Sequence, residues 1–265
     1  MDTQPEPIRF DDRYATPEPR GRARFPGLGF YPRMARVVFR AARLARAGQY
    51  TDEAWIRSSF GMARALEQVG CRLTVEGVGH FRKLDPPCVF IGNHMSTLET
   101  FVLPWIIRQH RPVTFVVKES LVTYPVFKHV MKSRDPVVVS RRNAKEDFST
   151  VMREGARRLE AGTSIVVFPQ TTRTVRFDPQ HFNSLGVKLA RRAGAPVVPL
   201  ALRSDAWGNS GTLVKDFGRI EPRHPVRFAF GEPLTVTGTG KAENQAIIQF
   251  IQQHLAAWLP DYQKP

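Results

Sequence analysis

The chain has 265 residues, 42% hydrophobic and 24% charged, a balance that excludes wholesale disorder. Thirty-nine Lys and Arg against 24 Asp and Glu leave a formal net charge of +15, which calls for an acidic partner: nucleic acid, anionic lipid or a phosphorylated metabolite. Two cysteines, Cys71 and Cys88, cannot build a disulfide framework or a cysteine zinc site, and fit a reducing compartment. No apolar run approaches the roughly 18 residues of a membrane-spanning helix. The N-terminal stretch lacks the apolar core of a secretory leader, so a cytoplasmic location is expected.

Residues 1–26 carry Pro5, Pro7, Pro17, Pro19 and Pro26 and are expected to form a flexible arm. Residues 27–70 read as an amphipathic helical pair. In the first helix Phe30, Met34, Val37, Val38, Ala41 and Leu44 recur at helical spacing beside Arg33, Arg36, Arg40, Arg43 and Arg46, and Gly48 ends it. In the second, Thr51 caps, Asp52 and Glu53 suit the first turn, and Trp55, Ile56, Phe60, Met62, Ala63, Leu66 and Val69 give a broad apolar stripe before Gly70. Two roles stay open for the pair: core helices, or a basic interfacial anchor whose arginines meet anionic headgroups.

Residues 71–265 alternate strand and helix. Strands are expected at Arg72–Glu76, Cys88–Ile91, Val113–Val117, Val137–Val139, Ser164–Phe168, Val197–Leu202 and Val226–Phe230. Helices are expected at Leu98–Ile107, Ala144–Ala161, Val187–Ala193 and Ala242–Leu259. The pattern predicts an α/β fold: a mixed, partly parallel sheet flanked by helices and preceded by the two-helix segment.

Functional side chains in such sheets sit beyond the C-terminal ends of strands. Three expected strand ends carry polar clusters: Gly92 to Glu99, Ser140-Arg141-Arg142, and Pro169 to Thr174. His94 is a candidate general base, because imidazole exchanges protons near neutrality. Glu99 is its candidate partner, since a carboxylate on the second ring nitrogen fixes the tautomer. Five residues is poor spacing on a straight helix face, but a loop entering a helix can close the gap. Ser96 competes as a nucleophile, yet no glycine-framed nucleophile turn surrounds it.

These blocks resemble the glycerolipid acyltransferases, the 1-acylglycerol-3-phosphate acyltransferase superfamily. Asn93-His94 with Glu99 is similar to that family's N-H-x-x-x-x-D, and Phe168 to Thr174 to its F-P-E-G-T-R-S. Lys118-Glu119-Ser120-Leu121 and Val138 to Arg141 resemble its K-x-E-L and F-x-D-R, and Val197 to Leu200 its V-P-V. Val75-Glu76-Gly77 and Phe230 to Pro233 match flanking positions, so the order agrees over roughly residues 72–235. The departures are Glu99 for Asp, Gln170 and Thr171 for Glu and Gly, and Ser140 for Asp. Histidine with glutamate at this spacing also resembles the late acyltransferases of lipid A synthesis.

The resemblance implies transfer of a fatty acyl group from acyl-CoA or acyl carrier protein to the free hydroxyl of a lysophospholipid, giving phosphatidic acid from 1-acyl-glycerol-3-phosphate. His94 and Glu99 would be catalytic. Arg173, Arg141 and Lys118 would hold the phosphate, with Thr172, Thr171 and Gln170 beside them. The thioester is already activated, so no metal or other cofactor is expected. The helical pair would anchor the protein peripherally on the inner face of the membrane, against anionic lipid, and nucleic acid is not an expected partner. The other readings are an acyltransferase for a lipid A precursor or amino-acid lyso-lipid, a thioesterase or other hydrolase, and a non-catalytic basic protein that binds membrane or nucleic acid.

Overall fold

In the computed structural model, which describes residues 5–17, 21, 23–170, 172–209 and 218–259, the short apolar runs become the strands of one sheet. They are β1 (Tyr14–Ala15), β2 (Leu73–Glu76), β3 (Val89–Gly92), β4 (Val113–Lys118), β5 (Val137–Val139), β6 (Ser164–Val167), β7 (Val197–Arg203) and β8 (Val226–Phe230). Their order is β1-β2-β8-β7-β3-β6-β4-β5. The neighbours β7, β3, β6, β4 and β5 all run parallel, while β8 is antiparallel to β7 and β1 to β2. Every residue of β3, β6 and β7 is buried, as expected of strands covered on both faces.

The helices are α1 (Pro26–Arg46), α2 (Asp52–Glu67), α3 (Val78–Arg82), α4 (Leu98–Arg108), α5 (Glu119–Thr123), α6 (Lys128–Lys132), α7 (Ala144–Thr150), α8 (Ala156–Glu160), α9 (Leu185–Ala193) and α10 (Lys241–Trp258). The single helix expected over 144–161 is interrupted by a π turn, Val151–Gly155, between α7 and α8. Gly155 sits there against α9, where a Cβ would lie 2.8 Å from a methyl carbon of Leu189. The short helices α3, α5 and α6 lack a full amphipathic repeat, which is why periodicity alone does not announce them.

Two expectations from the N-terminal third need correction. Of the expected flexible arm, residues 5–17 lie against the sheet edge, α2 and α4, while 1–4, 18–20 and 22 lie outside the described residues. Tyr14 pairs with Val75 and Ala15 with Thr74, and the Tyr14 hydroxyl donates to Glu67 Oε1 at 2.6 Å. Trp105 Nε1 donates to the Ile8 carbonyl at 2.9 Å, and the Phe10 ring packs edge-on against Trp105. Proline forbids a helix here but not an extended edge segment, and Phe10 and Tyr14 supply apolar surface to bury.

The helical pair is not uniform either. In α2 the Thr51 side chain accepts from Ala54 N as expected, but Trp55, Ile56, Phe60, Met62, Ala63 and Leu66 are all buried and the helix packs on α4. The Ser59 hydroxyl donates to the Phe101 carbonyl at 2.6 Å and accepts from Trp105 N at 2.8 Å, tying the two helices together. Thus α2 is a core helix. By contrast α1 buries Phe30, Met34, Val38 and Ala41 but leaves Leu28 76% and Phe39 64% exposed.

Candidate active site

Gly92 closes β3 where a Cβ would stand 2.8 Å from the Leu200 carbonyl oxygen, so only glycine lets β3 and β7 approach this closely. Asn93 continues the ladder with its side chain: Nδ2 donates to the Leu202 carbonyl at 2.8 Å and Oδ1 accepts from Leu202 N at 2.9 Å. The chain then turns through 94–97 into α4. Three contacts pin this turn. His94 N donates to Gln170 Oε1 at 2.6 Å, Thr174 N donates to the His94 carbonyl at 3.0 Å, and Asn209 Nδ2 donates to the Met95 carbonyl at 2.7 Å.

The turn into α4 brings His94 and Glu99 together despite their spacing. His94 Nδ1 lies 2.8 Å from Glu99 Oε1, and Glu99 is fully buried in the first turn of α4. Oε1 also accepts from Met95 N at 2.7 Å and Ser96 N at 3.0 Å. Oε2 accepts from the Ser204 hydroxyl at 2.5 Å and lies 3.1 Å from the Ser96 hydroxyl. Burial is the largest single influence on this carboxyl and raises its pKa. The hydrogen bond and charge of His94, the Ser204 hydroxyl and main-chain N–H groups together outweigh it, so Glu99 is held below the ordinary carboxylate range.

An ionised Glu99 makes Nδ1 the protonated ring nitrogen and leaves the Nε2 lone pair as proton acceptor. Among the described residues none hydrogen-bonds Nε2, and the His94 side chain is 15% exposed. The Phe168 ring lies flat against the imidazole, centroids 4.5 Å apart and planes 5° apart, which limits ring rotation. Ser96 is no nucleophile: its hydroxyl is buried and engaged with Glu99 and Ser204.

The parallel strands place the cationic candidates along the same edge. β6 lies next to β3, and beyond it the chain carries Arg173, whose guanidinium donates to Thr97 Oγ1 in the His94 turn. Lys118 ends β4 and Arg141 follows β5, both exposed. With strands about 4.8 Å apart, their strands stand roughly 10 and 14 Å from that of His94. Arg173 is therefore brought to the turn that carries His94, while Lys118 and Arg141 line the same edge farther out.

The structure reassigns one candidate. Gln170, expected beside the substrate, is buried with its side-chain oxygen on His94 N, so it supports the turn instead. Thr172 is exposed, and Thr171 lies outside the described residues. The Asp missing at Ser140 is replaced from α7: Asp147 accepts from Ser140 N at 2.8 Å and Arg141 N at 2.7 Å. That grip holds Arg141 in a left-handed conformation, φ 59°. Ser204, Asn209 and Phe168 have roles that sequence reasoning did not assign. Ser204 directly follows β7, and a hydroxyl at a strand's C-terminal end is a signal that could have marked it. No signal marked the ring stacking of Phe168.

A base-bearing strand end beside a guanidinium suits attack by an alcohol carrying an anionic group. The family model described as Acyltransferase matches residues 72–203, spanning these strand ends. The chain belongs to the acyltransferase family and is an O-acyltransferase. It is 25% identical over 213 residues to the 1-acyl-sn-glycerol-3-phosphate acyltransferase of Pseudomonas aeruginosa, covering 80% of this chain and 76% of that protein. It is 24% identical over 201 residues to the protein of the same name from Limnanthes alba, covering 74% and 66%. The fold matches the crystal structure of the 1-acyl-sn-glycerophosphate acyltransferase PlsC from Thermotoga maritima, with TM-score 0.66 at 16% identity, over 88% of this chain and 94% of that one.

Proposed function

We propose that this enzyme moves a fatty acyl group from a thioester donor, acyl-CoA or acyl carrier protein, to the free hydroxyl of 1-acyl-glycerol-3-phosphate, forming phosphatidic acid. The observation that carries the reading is His94, held through Nδ1 on a buried carboxylate, with no described residue hydrogen-bonded to Nε2 and a guanidinium joined to its turn. Nε2 removes the acceptor's hydroxyl proton as the oxygen attacks the thioester carbonyl. The tetrahedral oxyanion collapses and expels the thiolate, which takes the proton back from the imidazolium as a free thiol. Glu99 stabilises the imidazolium between these steps. Atoms and charge balance without a further cofactor.

Arg173 suits the acceptor phosphate, because a guanidinium fork can make two parallel bonds to phosphate oxygens. Lys118 and Arg141 extend the cationic edge. The main-chain N–H groups of His94, Met95, Ser96 and Thr174 are already engaged within the protein, so none of these four serves as the oxyanion donor.

The reading includes peripheral contact with the cytoplasmic face of an anionic bilayer. No helix among the described residues is long and apolar enough to cross a membrane. The contact is assigned to α1 with α6, not to α2. Leu28 and Phe39 stand exposed on a helix whose Arg33, Arg36, Arg43 and Arg46 are also exposed, and α6 packs against α1. Desolvation, then the charges of Lys128, Arg46 and Lys132, hold the His129 imidazole below its ordinary pKa. Apolar side chains set among cations are the chemistry of an anionic interface.

The test is acyl transfer by purified protein with labelled acyl-CoA or acyl carrier protein and lysophosphatidic acid, run beside other lysophospholipids, a lipid A precursor and no acceptor. His94→Ala is expected to lose about 10²- to 10⁴-fold, the scale of general-base catalysis, while keeping the fold. Full activity in that variant, or donor hydrolysis independent of any acceptor, would refute the proposal.

A further inference from the structure

We propose that Ser204, the residue that follows β7, is a positioning residue for the acyl transfer: its hydroxyl grips Glu99 Oε2 so that Oε1 stays on the imidazole of His94. The inference rests on the proposed reaction and adds to it a residue that lies outside every block of the family resemblance.

The geometry separates the two carboxylate oxygens by task. Oε1 receives His94 Nδ1 and the main-chain N–H groups of Met95 and Ser96. Oε2 receives the Ser204 hydroxyl at 2.5 Å, with Ser96 N and the Ser96 hydroxyl farther off, each at 3.1 Å. Proton supply also favours Ser204 as the donor. The Ser96 hydroxyl has one hydrogen and two nearer acceptors, the Ser204 carbonyl and the Ser204 hydroxyl oxygen, both at 2.9 Å. The Ser204 hydrogen is therefore the hydroxyl proton aimed at the carboxylate.

The donor stands on a fixed frame. Ser204 is fully buried, its N–H points at Met95 Sδ at 3.3 Å, and β7 is pinned to the start of the His94 turn through Asn93. Bulk water cannot replace the hydroxyl at such a site. Glutamate also needs this grip more than aspartate would. Its extra methylene adds a torsion, and its terminal torsion is broad. Held at Oε2 as well as Oε1, the carboxylate has one orientation.

The experiment compares Ser204→Ala with the wild-type enzyme in acyl transfer and in the NMR signal of the His94 Nδ1 proton. Ser204→Ala is expected to lower kcat about 10- to 100-fold, the range for groups that orient a functional side chain. KM for donor and acceptor should not change, because Ser204 is fully buried and acts through Glu99. The Nδ1 proton signal should shift upfield and broaden. Combined with Glu99→Gln, Ser204→Ala should cost no more than about twofold beyond Glu99→Gln alone, since both act through one carboxylate. Ser204→Cys keeps nearly the same volume with a weaker donor and should fall between serine and alanine; it also covers an alanine variant that fails to fold.

Unchanged kcat, an unchanged Nδ1 signal, full activity in Ser204→Cys or additive losses with Glu99→Gln would each overturn the role. The proton signal requires no turnover. A wild-type enzyme that shows this signal yet transfers no acyl group would overturn the proposed reaction and leave the grip on Glu99 measurable by itself.

Discussion

Replacing Glu99 by Gln tests the electrostatic half of the proposed catalytic pair while sparing its shape. The amide oxygen can still accept from His94 Nδ1 at the 2.8 Å separation of the native pair. What disappears is the negative charge beside the imidazolium. Two unit charges about 4 Å apart at an effective dielectric of 20 attract by about 4 kcal/mol. At about 1.4 kcal/mol per decade this corresponds to roughly a 10³-fold loss in kcat. Initial-rate assays with lysophosphatidic acid as the varied acceptor give the number, and KM should change little. A loss under tenfold would mean that the carboxylate only holds the ring, and the charge argument would fail.

The same substitution has a stability signature. The Glu99 carboxyl is held below its ordinary value of 4.5, so its contribution is complete above that value. It is lost as pH falls towards the folded-state value. Glutamine cannot titrate. Wild type should therefore lose Tm relative to Glu99→Gln when unfolding is followed from neutral pH down through the carboxylate range. Parallel Tm curves would contradict the depressed pKa.

Three further outcomes are expected. Arg173→Ala should raise the KM for the phosphorylated acceptor and leave the donor KM unchanged; an unaltered acceptor KM would remove Arg173 from phosphate binding. Leu28→Ser with Phe39→Ser should weaken sedimentation with anionic vesicles, up to a limit of about 3–6 kcal/mol for two large side chains, while turnover of a short-chain soluble acceptor persists; undiminished vesicle binding would exclude this face of α1. Tyr14→Phe deprives the buried Glu67 of a donor at 2.6 Å. It should cost about 1–3 kcal/mol, and an unchanged Tm in thermal unfolding would mean that the N-terminal segment does not dock as described.

Much of the candidate site was legible because it follows from chain-local pattern. The runs Val89 to Ile91, Val113 to Val117 and Ile165 to Val167 could bury both faces only as interior strands, and the polar residues after them marked the candidate edge. His94 and Glu99 could be proposed as partners from residue type, and Arg173 from the block it shares with Gln170. Two local signals misled. Prolines in residues 5–17 argued against a helix and were silent about an edge strand. The apolar stripe of α2 looked the same for a membrane as for the packing partner that it has in α4.

Residue type and period, which are properties of neighbours in the chain, thus determined the interior strands, the longer helices, and the place of His94 and Glu99 just beyond a strand end. Tertiary structure alone decided how the strands are ordered, that Arg173 reaches Thr97 across 76 positions, and that Ser204 meets Glu99 across 105. The physical reason is that hydrogen bonds and burial act over a few ångströms in space. Sequence periodicity registers only what recurs along one helix or strand, so a grip between the ends of two strands leaves no trace in it until the sheet has formed.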